Sequence, residues 1–156
     1  MKMNVKIEKV EENDIEQIAE MGDAIYGKYY KGNHKEGLLS ETNWDISVKL
    51  LLNSEIIGFY LFKDKNMEDY IIDNQDAIAG KKGIQGVGLG VLEKHRGNGY
   101  GKLLINKSIE LFQDKYDYMW GFHDMALDNI HHWKKRRDIV MANVSGGYYV
   151  SYVSFK

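Results

Sequence analysis

The chain opens on a two-residue period. Val5 and Ile7 alternate with Lys6 and Glu8, which predicts a short first strand near a sheet edge. The period then lengthens: Ile15, Ile18, Ala19 and Ile25 fall on one helical face, and Asn13-x-x-Glu16 ahead of them has the form of a capping box. Residues 26–43 hold no clean period and carry Tyr26, Tyr29, Tyr30 and His34. A stretch that long is either a functional loop over a site or a loop whose aromatics anchor it to the core. Period two returns at Trp44, Ile46, Val48, Leu50 and Leu52. Asn53-Ser54 then reads as a turn and Ile56 to Phe62 as the second arm of a hairpin.

Residues 63–82 are polar around an apolar island at Tyr70-Ile71-Ile72, with a short helix expected from Asp73 to Ala79. The next strand, 83–92, has Gly86, Gly88 and Gly90 at alternate positions, a mark of a bulge or of close backbone approach. Behind Arg96 come Gly97, Gly99 and Gly101, and then a helix with Ile105, Ile109 and Phe112 on one face. Leu104, Ser108 and Leu111 support that face, while Lys102 and Lys107 point outward. Tyr118 to Phe122 reads as a buried strand with His123 and Asp124 at its C-terminal end. Asp128 or Asn129 caps a helix reaching about Arg137; Ile139 to Val144 and Tyr148 to Phe155 are strands joined by a turn at Ser145-Gly146-Gly147. Helix and strand alternating through the second half define an α/β protein.

A chain of 156 residues predicts a single domain, 1–156, large enough to bury a sizeable core. The net charge of −2 argues against a protein that grips nucleic acid over a broad surface. With no cysteine, disulfides, thiolate nucleophiles and thiolate metal sites are excluded, and no metal site is expected. No apolar run approaches the roughly 20 residues of a membrane span. The start, Met1-Lys2-Met3-Asn4-Val5-Lys6, has no signal-peptide core, so a cytoplasmic location and no membrane partner are expected.

The chemistry concentrates in residues 83–104. A strand, a glycine-rich turn and a helix N-terminus place unpaired backbone N–H groups around one anion, with the helix dipole favouring negative charge. The spacing is neither a Walker loop, which needs Gly-Lys followed by Ser or Thr, nor a Gly-x-Gly-x-x-Gly fingerprint. Arg96-x-x-Gly99-x-Gly101, with Val91 upstream and Leu103-Leu104 downstream, closely resembles the acyl-CoA-binding motif of the GNAT superfamily of N-acyltransferases. The resemblance implies a mixed central sheet with splayed parallel strands and flanking helices, the parallel pair lying at 83–92 and 118–122. It also implies acetyl-CoA as cofactor. Leu89, Gly90 and Val91 would then offer backbone groups to the pantetheine arm. Arg96, Gly97, Asn98, Gly99, Tyr100, Gly101 and Lys102 would wrap the pyrophosphate. Asn129 matches an Asn that touches the pantetheine in the family, or is a plain N-cap. Trp133 would pack on the cofactor.

The catalytic groups are less well marked. Histone-type members carry a Glu where this chain has Gln85, and an amide takes no proton. Gln85 would orient a water or the acceptor instead. His123 is the first choice as base, with His34 and a water chain to Asp124 as alternatives. No Tyr lies in the helix where many members keep the thiolate acid, which leaves His132, or Tyr148 and Tyr149. Lys134-Lys135-Arg136-Arg137 either complements the helix dipole or binds an anion.

The leading expectation is an N-acetyltransferase moving an acetyl group to a primary amine of a small molecule or protein by direct attack. The alternatives are a non-catalytic CoA-binding protein that keeps the fold and an acyltransferase acting on nucleic acid. The last hairpin also offers an edge on which a homodimer would form.

Overall fold

In the computed structural model, residues 4–27, 34–67, 79–124, 140–144 and 148–155 are described. Seven strands and three helices are present among them. They are β1 (Val5–Lys9), α1 (Ile15–Tyr26), α2 (His34–Glu41), β2 (Val48–Leu52), β3 (Glu55–Asp64), β4 (Gly83–Val91), α3 (Tyr100–Phe112), β5 (Tyr118–Asp124), β6 (Val140–Val144) and β7 (Tyr148–Ser154). The chain forms two compact units, one of residues 1–63 with 87–110 and one of residues 64–86 with 111–156. β4 contributes to both.

In the first unit β1 pairs antiparallel with β2, and β2 antiparallel with β3. The expected hairpin forms at Asn53-Ser54, where both residues take positive φ (51° and 70°), the backbone twist that matches paired strands. The strand expected from Trp44 starts only at Val48. Asn43 accepts a hydrogen bond from the Asp45 N–H (3.1 Å) and winds Trp44–Ile46 into a 3₁₀ turn. The capping box also lies two residues earlier than expected. Glu11 and Asp14 bracket a 3₁₀ turn, and α1 starts at Ile15. Asp14 outcompetes Asn13 because its carboxylate reaches back to the Glu11 N–H at 2.9 Å.

Ile18, Leu38, Phe59 and Leu61 form the buried centre of this unit, with Ile15, Ile25 and Val87 packed on it. Leu38 comes from α2, a helix inside the stretch that shows no period in the sequence. Its weak amphipathicity is offset by packing. α1 approaches so closely that a Cβ on Gly22 would stand 2.6 Å from Leu38, and Lys35 pairs with Glu16 and Glu20 of α1. α3 buries Leu104, Ile105, Ser108 and Phe112, whereas Leu111, expected on the supporting face, is 42% exposed.

The second unit is organised on β5. Gly83–Gly86 of β4 pair with Tyr118–Gly121 in parallel, as expected for the central strands. β5 pairs antiparallel with β7, and β7 with β6. Tyr118 and Trp120 anchor the incoming segment: Met67 N–H donates to the Tyr118 hydroxyl (2.8 Å) and Trp120 Nε1 donates to the Lys65 carbonyl (2.7 Å). β5 runs two residues past the expected end and takes in His123 and Asp124. Phe122, expected to be buried, is 46% exposed and meets Trp120 edge-on. The helix expected near 73–79 and the one expected to reach Arg137 fall on positions outside the described residues, Ala79 excepted.

Candidate functional site

The turn joining β4 to α3 belongs wholly to the first unit. β4 ends where the Leu92 N–H donates to the Ile57 carbonyl (2.9 Å). A 3₁₀ turn over Glu93–His95 follows, closed by His95 N–H to the Leu92 carbonyl. Arg96 then folds back. Its Nε donates to the Val91 carbonyl (3.0 Å), the last residue of the strand, and the residue is otherwise exposed. The spacing of five between Val91 and Arg96 thus has a structural cause: the guanidinium staples the strand end to the loop. Asn98 Nδ2 donates to the His95 carbonyl (3.0 Å) and holds the loop from the other side.

Gly97 and Gly99 stand at φ +84° and +80°, where an L side chain is strained. α3 starts directly after, its first intrahelical bond running from Leu103 N–H to the Gly99 carbonyl (3.0 Å). Tyr100, Gly101 and Lys102 therefore present N–H groups without an intrahelical acceptor, at the positive end of the dipole. Nothing lies within 4 Å of where a Cβ would stand on Gly97, Gly99 or Gly101. Open space, bare amides and exposed Arg96 and Lys102 give the loop the features of an anion site.

The strand leading into this loop is partly engaged. Tyr26, the last residue of α1, donates its hydroxyl to the Leu89 carbonyl. At Gly90 a Cβ would stand 2.6 Å from the Phe59 ring, so the backbone must run bare there. Neither contact was legible in the sequence, although the Tyr26 aromatic and the alternate glycines were its traces.

The other expected site residues are placed as follows. Gln85 lies in the second unit, on the paired part of β4 opposite Trp120. It is 8% exposed, and its Oε1 is buried with no hydrogen-bond partner. His123 is in β5, in register with Tyr149 of β7. His34 opens α2; burial lowers its pKa below the ordinary imidazole value and the Asp23 charge raises it in part. Asn129, His132, Trp133 and the 134–137 cluster lie outside the described residues. Among the described residues no group of three or more His, Asp or Glu is arranged to hold a metal ion, and no helix is long and apolar enough to cross a membrane.

An α/β chain with this strand–loop–helix cradle has a site for an anionic ligand at a helix N-terminus. A family model described as "Acetyltransferase (GNAT) family" matches residues 18–137, which include the whole loop. The chain belongs to that family. Its fold is similar to that of Arabidopsis thaliana Naa50 in complex with the bisubstrate analogue CoA-Ac-MVNAL (13% identity, TM-score 0.69, covering 96% of this chain and 98% of that one). It is also similar to the PaiA N-acetyltransferase of Thermoplasma acidophilum in complex with coenzyme A (13% identity, TM-score 0.68, covering 97% and 99%). A third similar fold is the ribosomal-protein-S18-alanine N-acetyltransferase of Escherichia coli (10% identity, TM-score 0.67, covering 98% and 95%). No curated protein matches the chain in sequence.

Proposed function

We propose that the protein transfers an acetyl group from acetyl-CoA to a primary amine. The observation that carries this reading is the loop: two positive-φ glycines turn the strand into a helix N-terminus with open space over its amides. Family membership gives that anion cradle its chemical class. The structural neighbours held with coenzyme A or an analogue support the same cofactor. Coverage of nearly the whole of this chain and of its neighbours supports reading residues 1–156 as one acetyltransferase domain.

In this reading the amides of Gly97 to Lys102 and the Arg96 and Lys102 cations hold the pyrophosphate. Leu89, Gly90 and Val91 hold the pantetheine arm through backbone groups. Asn129 and Trp133 add contacts from the segment after β5. The cofactor supplies an activated acetyl thioester. The protein's task is then to place the amine against it and to take up protons. Gln85 offers an unpartnered buried acceptor for a donor on the amine or on a water. His123 is the base read from the sequence and His132 the acid. A dedicated acid is of small value, because a thiol leaving group is fairly acidic already, with a pKa of about 8.5.

The test is calorimetry with acetyl-CoA followed by thiol release across a panel of primary amines. The expected result is saturable binding and release with at least one amine. Absence of binding at concentrations up to about 100 μM, a free energy of about −5.5 kcal/mol, would remove the reading.

A further inference from the structure

β1 stands at one end of the strand order, so only one of its sides is paired, to β2. Two backbone bonds set the phase of that pairing: Asn53 N–H donates to the Asn4 carbonyl (2.8 Å) and Val10 N–H to the Ser47 carbonyl (3.1 Å). Both continue the β1–β2 register, in which Lys6 faces Leu51 and Glu8 faces Lys49. Backbone groups of an antiparallel strand alternate between its two sides. The even positions therefore bond to β2, and Val5, Ile7 and Lys9 turn their N–H and C=O outward. Among the described residues no strand takes these groups up. Such an edge is a template for another chain.

The side chains on this edge determine which chain fits. The strand reads Val5-Lys6-Ile7-Glu8-Lys9, with Lys6 and Glu8 exposed. Its outward groups can bond to a second copy of itself, antiparallel, with Ile7 opposite Ile7. About six backbone hydrogen bonds then form, Val5 with Lys9, Ile7 with Ile7 and Lys9 with Val5. Between them, at the positions where side chains come closest, Lys6 of each copy meets Glu8 of the other. The neighbouring registers that the backbone allows set Lys6 against Lys6 or Glu8 against Glu8, and like charges directly opposite disfavour pairing. A two-fold contact needs a surface that complements itself, and β1 is one. The other end of the strand order, β6, reads Val140-Met-Ala-Asn-Val144 and carries no charge to set a register.

We propose that β1 is the interface of a two-fold dimer, in which two copies join their sheets edge to edge and reciprocal Lys6–Glu8 pairs fix the register. The charges are there to be used: neither Lys6 nor Glu8 forms an ion pair with another described residue. Lys49, which Glu8 faces within the chain, is taken by Asp14. The groove beside the edge supports the same occupant. α3 borders it, and a cavity of about 420 Å³ lies between them, lined by Val5, Ile7, Leu103, Lys107 and Glu110 among others. Lys107 and Glu110 pair with each other (3.6 Å), whereas Leu103 is apolar and 42% exposed. An axis perpendicular to the joined sheet keeps both copies of α3 on one face. The two grooves then adjoin, and Leu103 lies inside the contact rather than in water. The dimer does not depend on the transfer reaction.

Sedimentation equilibrium of the full chain from about 5 to 500 μM is the test, the range in which a small interface associates. The expected result is a reversible monomer–dimer equilibrium that weakens at about 1 M salt, where charges are screened beyond about 3 Å. Lys6→Glu and Glu8→Lys should each weaken association about tenfold or more, because each sets like charges opposite one another on both sides of the axis. Mixed in equal amounts, the two variants should associate as the wild type does, since every pair across the axis then joins opposite charges. Ile7→Pro removes an N–H on the free edge alone and should abolish the dimer while the circular dichroism spectrum stays that of the wild type. A chain that stays monomeric to about 500 μM overturns the proposal. So does a dimer that survives Ile7→Pro, single charge variants that associate like the wild type, or a mixture that associates no better than either variant alone.

Discussion

Gly101→Asp separates what the loop does for the fold from what it does for the ligand. Gly101 is in the first turn of α3, its φ is not among the positive ones, and nothing lies within 4 Å of its added Cβ. A side chain there is therefore free of strain. Asp is a slightly better helix residue than Gly, by about 0.2 kcal/mol, and a carboxylate in the first turn gains about 0.3–1 kcal/mol from the dipole. The fold should gain about 0.5–1 kcal/mol, or about 1–4 °C in melting temperature for a chain of this size. For the ligand the same carboxylate is a charge roughly 5 Å from a pyrophosphate of charge about −2. Repulsion amounts to about 2 kcal/mol if the medium is water-like and about 7 kcal/mol at an effective dielectric of 20. Coenzyme A affinity should fall at least about 20-fold. Calorimetry with coenzyme A and a thermal melt of the same sample check both signs. Retained affinity, or a loss of affinity together with a loss of stability, would refute the reasoning. The first outcome would mean that no phosphate sits over these amides, the second that the glycine is structural.

Gly90→Ala should destabilise the first unit by about 1–3 kcal/mol in denaturant unfolding, because the Cβ meets the Phe59 ring at 2.6 Å, and Phe59→Leu should recover part of the loss. Asp14→Asn should cost about 3 kcal/mol, since it leaves the Lys49 ammonium, 8% exposed, without its carboxylate. Burial alone would raise the Asp14 pKa, but hydrogen bonds from Lys49 and the Glu11 N–H, with the Lys49 charge, lower it below 3.8. The wild type should therefore lose this stabilisation as pH falls from about 4 through the folded value, a loss that unfolding curves between pH 2 and 6 should show to be missing in Asp14→Asn. Tyr116, buried and bonded to Asp64, has its phenol pushed up to about 12 by burial, by that bond and by the Asp64 charge. Its contribution is present below pH 10 and lost as pH rises towards 12. Tyr116→Phe should cost about 1 kcal/mol at neutral pH and remove that alkaline loss from the unfolding profile.

Local features of this chain were readable from its residues. The Asn53-Ser54 hairpin, the alternation on β1 and the helix after the glycines all rest on conformational preferences within a few positions, and all are present as read. So is the cradle, because positive φ at Gly97 and Gly99 and the unpaired amides of a helix start follow from local backbone geometry. Other features depended on which distant surface arrives. α2 has almost no amphipathic signal and is held by packing against α1. Leu111 and Phe122 look like core residues in sequence and are 42% and 46% exposed. The Tyr26 contact with Leu89 spans 63 positions of chain, and no periodicity encodes such a meeting. The sequence alone determined the loop and the class of ligand its amides suit, since backbone geometry there is set by neighbours in the chain. Only the tertiary structure brought Tyr26 onto the strand that leads into the loop, since that contact is made by helix packing.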